Sequence, residues 1–227
     1  MGLYHSPKIV TDGLRMYFDA AGARSYPGSG ITWTDISGNG NVATLYNGVS
    51  FDSNNLGNFS FDGVNDYIYS TSTFNVSGVT QYSMSMWVYF DSSNTGTDSR
   101  FFWHGNYGAL MIRGANNILS FYIRNAVDYA FTANAIMDPY YDKWVNIAAT
   151  YNVSEIKLYM NSELEDSATG NSGGIVNDLP TIFYLGYYPA AGFATACKIA
   201  NCMVYDKVLT QSEIQQNFNS LRGRFGV

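Results

Sequence analysis

Apolar and polar residues alternate with a period of two along much of this chain. Between Asn58 and Tyr69, Phe59 and Phe61 point one way and Ser60 and Asp62 the other, as in a half-buried strand. Gly63 and Asn65 tolerate positive φ, so the chain can turn before Tyr67 and Ile68 open a second strand. Gly13 to Ala20 sets Leu14, Met16, Phe18 and Ala20 against Arg15, Tyr17 and Asp19, and Ala21 to Gly30 reads as a loop. Tyr82 to Phe90 is the strongest strand, with Tyr82, Met84, Met86, Val88 and Phe90 on one face and Ser83, Ser85, Trp87 and Tyr89 on the other. Ile118 to Arg124, Trp144 to Tyr151, Ile156 to Asn161, Tyr184 to Gly186 and Lys198 to Tyr205 continue the pattern. Thr210 with Glu213 forms a capping box, which predicts one short helix over 210–218, between strands and a tail at 219–227. About a dozen short strands without βαβ spacing predict an all-β, antiparallel two-sheet sandwich whose first and last strands lie close together. One domain over 1–227 is expected, with residues 1–8 as a tail.

Ser60-Phe61-Asp62-Gly63-Val64-Asn65-Asp66-Tyr67-Ile68 resembles the signature of laminin-G-like domains in the concanavalin A-like lectin and glucanase superfamily. Leu14 to Gly22 with Ser25 to Gly30, Trp33 to Asn41, Tyr82 to Phe90 and Tyr205 to Ile214 resemble further stretches of that family, in the expected order. The resemblance implies a jelly-roll sandwich. Lys143 to Asn146 and Ile156 to Asn161 are similar to a family hairpin that closes on Asn-Gly, but Ser162 stands in the glycine place, which leaves the tight turn open. The fold hosts lectins, hydrolases, adhesion modules and structural domains, so it does not choose a function. Similar domains occur as stand-alone bacteriophage structural proteins, and the resemblance therefore implies a virion surface or fibre component. Otherwise the expected location is cytoplasmic, or a soluble protein not exported by Sec.

Aromatic residues make up 16% of the chain, with 19 Tyr, while charged residues make up 13%, so a large core sits beneath a surface of Ser, Thr, Asn and Gly. The net charge of −6 without a basic patch disfavours nucleic acid. No apolar run approaches the roughly eighteen residues of a membrane span, and the N-terminus lacks a signal-peptide core. Cys197 and Cys202, on an extended strand, would stand about 16 Å apart on opposite faces. A disulfide needs roughly 4.4–6.8 Å, so both are expected to be free thiols.

Asp35, Ser37, Asn39 and Asn41 place oxygen-bearing side chains at alternate positions, similar to the first half of an EF-hand loop. The second half is missing, because its later ligand positions fall on Ala43 and Tyr46. A calcium site would then combine Asp35, Asn39 and Asn41 with Asp62 or Asp66, and calcium is the one candidate cofactor. The competing reading is a Gly/Asn turn that caps its own backbone. Relatives of this fold hold calcium at the sandwich rim, which is what the resemblance adds.

The paired acids of the superfamily's glucanases, Glu-x-Asp-x-x-Glu, are absent. Glu163 and Glu165 follow a hairpin turn and read as a solvated edge, His104 reads as a packed strand-end residue, and no enzyme is expected. If Met84, Met86, Val88, Leu119, Phe121, Ile123, Leu158 and Met160 form the core, then Trp87, Tyr89, Tyr122, Arg124, Lys157 and Tyr159 face outward. Trp87, Tyr89, Tyr122, Arg124 and Tyr159 are thus candidate glycan-binding residues, unless loops or a partner chain cover them. Two functions stay open: a non-catalytic glycan-binding or adhesion module, and a structural decoration or assembly protein that contacts other virion or surface subunits. Oligomerisation is compatible with both.

Overall fold

The computed structural model describes residues 7–71, 73–75, 78–94, 99–104, 108–113, 116–123, 131–170, 182–189 and 192–227. In chain order the strands begin with β1 (Leu14–Asp19), β2 (Thr32–Thr34), β3 (Val42–Tyr46), β4 (Ser50–Asp52), β5 (Asn58–Asp62) and β6 (Tyr67–Thr71). They continue with β7 (Gln81–Phe90), β8 (Ser99–His104), β9 (Gly108–Arg113), β10 (Ile118–Ile123), β11 (Phe131–Ile136) and β12 (Trp144–Asn152). The last are β13 (Glu155–Met160), β14 (Glu163–Thr169), β15 (Ile182–Leu185), β16 (Tyr187–Tyr188), β17 (Phe193–Ala194) and β18 (Ala196–Tyr205), before helix α1 (Gln211–Phe225).

The first sheet runs β14-β13-β12-β7-β18-β5-β4, with β1 also paired to β18, and the second runs β11-β10-β9-β8-β15-β6-β3-β2. Every pairing is antiparallel, and β1 against β18 joins the first strand to the last as the alternation predicts. The inward set of β7 (Tyr82, Met84, Met86, Val88, Phe90) is buried in one core with Leu119, Phe121 and Ile123 of β10 and Phe183 and Leu185 of β15. Each such side chain removed from water contributes roughly 1.5–3 kcal/mol, and this core is what holds the two layers face to face. Among the described residues no helix is long and apolar enough to cross a membrane.

Three local features depart from the period-two reading. Cys197 and Cys202 are free, but both enter the same core rather than opposite faces. The register of β18 shifts between Ile199 and Asn201, and this extra residue reverses the alternation between the two sulfurs. The Asn161–Ser162 turn does close the β13–β14 hairpin, with both residues at positive φ (51° and 70°) as a primed two-residue turn requires. Ser162 accepts that conformation in a buried setting where its carbonyl takes a 2.7 Å hydrogen bond from Gln211.

The helix is the third. It starts at the predicted capping box, with Thr210 as N-cap and Glu213 reaching back to it, but runs to Phe225 instead of ending near residue 218. Tertiary contacts carry it past Asn217, Ser220 and Gly223, which are poor helix formers. Asn217 accepts from the Val10 amide at 2.8 Å and donates to the Tyr205 hydroxyl at 3.1 Å, while Phe218 and Phe225 lie over Trp87 with ring centroids at 5.6 and 4.2 Å. Near its end the Arg224 guanidinium meets Asp19 at 2.7 Å and donates to the carbonyls of Asn55 and Gly57.

Candidate functional site

The candidate glycan residues do not share one surface. Trp87 does point outward from β7, but it is fully buried beneath α1. Tyr159 of β13 is 4% exposed, in a cluster with Tyr205, Leu209 and Ile214. Tyr89 stays half-buried beyond the end of the helix, and Tyr122 is half-buried on β10, which belongs to the other sheet. Arg124 lies outside the described residues. Alternation separates inside from outside, but it cannot assign a strand to a layer or foresee a helix laid over an outward face.

Of the proposed calcium ligands, Asp35, Asn39 and Asn41 share one loop and Asp62 lies in another turn. Asp35 Oδ1 accepts from the Tyr17 and Ser37 amides at 2.9 and 2.8 Å, and Oδ2 accepts from the Ser37 hydroxyl and the Asn41 amide group at 2.8 and 2.6 Å. Asn39 donates to the carbonyls of Leu14 and Arg15, and the Asn41 Oδ1 is taken by Thr73. Asp62, at the end of β5, caps its own turn through the amides of Val64 and Asn65. The oxygens of Asp35 and Asn41 are thus spent on fixing a loop against β1, Asn39 holds that loop through its NH₂, and Asp62 serves another turn, so this set leaves too few free oxygens for a hard cation that wants six to eight. Among the described residues no cluster of three or more His, Cys, Asp or Glu could hold a metal. A thermal melt with and without a chelator is expected to give the same midpoint; a lower midpoint after chelation would show a cation bound to the folded state.

What the fold does assemble is a tyrosine surface on the outer side of the second sheet. Tyr67 and Tyr69 flank the buried Ile68, Tyr184 stands between the buried Phe183 and Leu185, and Tyr46 follows the buried Leu45. Period two therefore turns all four rings outward. Tyr46 pairs with Tyr67 and Tyr69 with Tyr184 across neighbouring strands. Ring centroids are 4.7 Å apart for Tyr46 and Tyr67, which stack, 5.0 Å for Tyr69 and Tyr184, and 5.9 Å for Tyr67 and Tyr184. Tyr46 is 38% exposed and the others are half-buried. The hydroxyls of Tyr46, Tyr67 and Tyr69 have no hydrogen-bond partner among the described residues, so they are available to a ligand. Burial, and then the neighbouring Tyr46, raise the pKa of Tyr67 and keep it a neutral donor and acceptor.

The β16–β17 hairpin borders this surface. Tyr187 lies 6.3 Å from Tyr67, and the Arg100 guanidinium sits 4.6 Å from the Phe193 ring and 5.0 Å from that of Trp103, which it covers. Gly186 starts the hairpin at φ +84°, where a Cβ would come within 2.2 Å of the Phe61 ring, so only glycine lets the chain leave β15 in this direction. The tyrosines were visible in the sequence as Tyr-Ile-Tyr and Phe-Tyr-Leu, outward aromatics flanking or flanked by inward apolar residues. What the sequence lacked was the order of β3, β6 and β15, which come from distant parts of the chain.

Aromatic faces with free hydroxyls can stack on the apolar faces of sugar rings and bond their hydroxyl groups. Residues 62–215 match a laminin G family described as the concanavalin A-like lectin/glucanases superfamily. No curated protein matches the chain by sequence. Similar solved structures include the binding domain of botulinum neurotoxin DC in complex with SialylT (15% identity, TM-score 0.73, 93% of this chain and 52% of that one). The serotype D ligand binding domain in complex with N-acetylneuraminic acid gives 15% identity and a TM-score of 0.73 over 92% of this chain and 51% of that one. The serotype G binding domain gives 15% identity and a TM-score of 0.72 over 90% of this chain and 50% of that one. At such identities the likeness is one of fold, and this chain spans about half of each toxin domain.

Proposed function

Because the chain belongs to the concanavalin A-like lectin/glucanases superfamily, we propose that it is a non-catalytic carbohydrate-binding module whose ligand lies across the tyrosine surface of the second sheet. The observation that carries this reading is the registered group Tyr46, Tyr67, Tyr69 and Tyr184, outward-facing and with the hydroxyls of Tyr46, Tyr67 and Tyr69 unpaired among the described residues. The sugars named in the similar toxin structures are ligands of domains about twice as long, and they support a glycan as the ligand class without identifying it. Glu163 and Glu165 stand exposed on the edge strand β14 of the other sheet, where they do not line the tyrosines.

A glycan array followed by calorimetry tests the proposal. Tyr69→Ala and Tyr184→Ala are each expected to weaken the best ligand by roughly 5–30-fold, the effect of one to two kcal/mol of lost stacking, with the melting midpoint nearly unchanged. Silence across a broad array, or binding indifferent to both variants, would defeat it.

A second reading, an assembly or decoration protein, draws on the exposed Val42 and Ile31, 50% and 63% accessible, beside Tyr46 at the same border of the sheet. Under it the tyrosines meet another subunit, and sedimentation would show concentration-dependent association that Tyr46→Ser weakens. Placement on a virion surface or fibre has the phage-like resemblance as its support, and copurification with particles tests it.

A further inference from the structure

We propose a second, independent sugar-binding site on the opposite side of the sandwich, in the cleft of about 430 Å³ between Tyr89, Trp144, Tyr140 and the end of α1, which accepts a single neutral pyranose residue. The volume falls in the range of small-molecule sites, roughly 300–1,000 Å³. Its floor is aromatic. Tyr89 and Trp144 are direct partners on β7 and β12 with ring centroids 5.9 Å apart, and Phe225 packs on Trp144 at 4.8 Å. Trp144 is held in place by a 3.0 Å hydrogen bond from its indole nitrogen to Asn55. Of the four tryptophans it alone is not buried; Trp33, Trp87 and Trp103 are at most 5% exposed.

Two turns deliver complementary polar groups to this floor. Asp142, at φ +57°, ends the segment before β12, and Asn161, at φ +51°, opens the β13–β14 turn. Asn and Asp are the residues that adopt left-handed backbone most readily after glycine, and both line this cleft. Asp142 Oδ1 accepts from the Ser92 amide at 3.0 Å, and Oδ2 has no partner among the described residues. Asn161 Oδ1 accepts from the Asn146 amide at 3.0 Å, which orients the side chain and leaves its NH₂ without an acceptor among the described residues. One free acceptor and one free donor, each fixed by a backbone amide, beside an aromatic floor suit adjacent sugar hydroxyls.

The charges select a neutral ring. Asp142 and Asp91 both act on Tyr89, whose hydroxyl pKa is raised by burial first and by these two carboxylates next. Lys143 is turned back onto the Pro139 carbonyl at 3.1 Å, and Lys198 lies over the Tyr89 ring at 5.6 Å, 3.8 Å from Asp52. An acidic sugar would meet the Asp142 carboxylate in the cleft, and the one cation of the lining, Lys143, is directed at the Pro139 carbonyl.

Trp144 supplies a readout that the tyrosine surface cannot. Acrylamide quenching of intrinsic fluorescence should report mainly Trp144, and millimolar methyl hexopyranosides (gluco, galacto and manno, both anomers) should protect it. Asn161→Asp and Asp142→Asn keep the amide contacts and the tolerance for positive φ, but exchange the free donor and acceptor. Each is expected to weaken protection at least about tenfold without moving the melting midpoint, while Tyr184→Ala leaves protection intact. Absence of protection by every pyranoside, or protection unchanged in both exchange variants, overturns the second site. Loss in Tyr184→Ala would instead assign the ligand to the tyrosine surface and equally overturn it. Array binding lost only in Tyr69→Ala and Tyr184→Ala concerns the first site, so the two readings fail separately.

Discussion

Arg224→Ala is expected to lose about 3–5 kcal/mol of unfolding free energy, the largest effect of any single side-chain truncation considered for this fold. The guanidinium is 6% exposed, and one partner, Asp19, is 11% exposed, so removing Arg224 leaves that carboxylate without its counter-ion, with only the Tyr17 hydroxyl and the Ala21 amide as donors, in a place that water hardly reaches. The carbonyls of Asn55 and Gly57 lose their donor in the same step. In a domain of this size the loss corresponds to a fall in Tm of roughly 6–20 °C. Arg224→Lys should recover little, because an ammonium cannot span the carboxylate and two carbonyls with a planar fork. Urea denaturation of the two variants checks this, and a change below about 1 kcal/mol would mean that α1 is held by its apolar face and the Asn217 and Gln211 hydrogen bonds without need of the ion pair. The released helix end would also uncover Trp87, so a red shift of fluorescence below the unfolding transition should accompany the loss.

A second large effect is expected from acid. His104 lies at the end of β8, 1% exposed, with Nδ1 3.2 Å from the Tyr82 hydroxyl and Phe74, Tyr82 and Phe183 around its ring. Burial pushes its pKa from 6.5 down to about 3, so it stays neutral in the fold at any ordinary pH. Between those values the unfolded chain binds a proton that the folded chain does not. Stability fully present above pH 6.5 is therefore lost progressively as pH falls toward 3, at up to about 1.4 kcal/mol per unit and roughly 2 kcal/mol by pH 5. Asp52, held below the usual carboxylate range by the Asn54 amide, and Asp91, held there by Ser93, contribute stability that is lost only as pH falls below that range, a window lower than that of His104. Urea midpoints at pH 7 and pH 5 should diverge in the natural protein and far less in His104→Asn. Equal slopes in the two would remove His104 from the account.

The sheet assignments show how far residue patterning reaches. Tyr82 to Phe90 could be read strand and face together, because five apolar side chains alternate without interruption and all five enter the core. The β18 bulge could not, since nothing in Ile199-Ala200-Asn201 marks an extra residue until the partner strands β7 and β5 are in place. The helix start was legible from Thr210 and Glu213 and its end was not: Gly223 suggests a stop, whereas the left-handed Gly226 provides it. For the binding residues the limit was different. Trp87 and Tyr184 have the same local pattern, an outward aromatic between inward apolar neighbours, and only the path of α1 decides that Trp87 is covered while Tyr184 stays half-buried.

Val10 and Phe225 are both fastened to the outer side of the first sheet, through Asn217 and Trp87. A scaffold joined to the domain near either of these points would therefore sit behind it, and the tyrosines of the second sheet would be presented forward, away from the attachment. Because the Tyr89–Trp144 cleft opens at the Phe225 end of α1, a scaffold joined there would crowd the second site and leave the tyrosines clear.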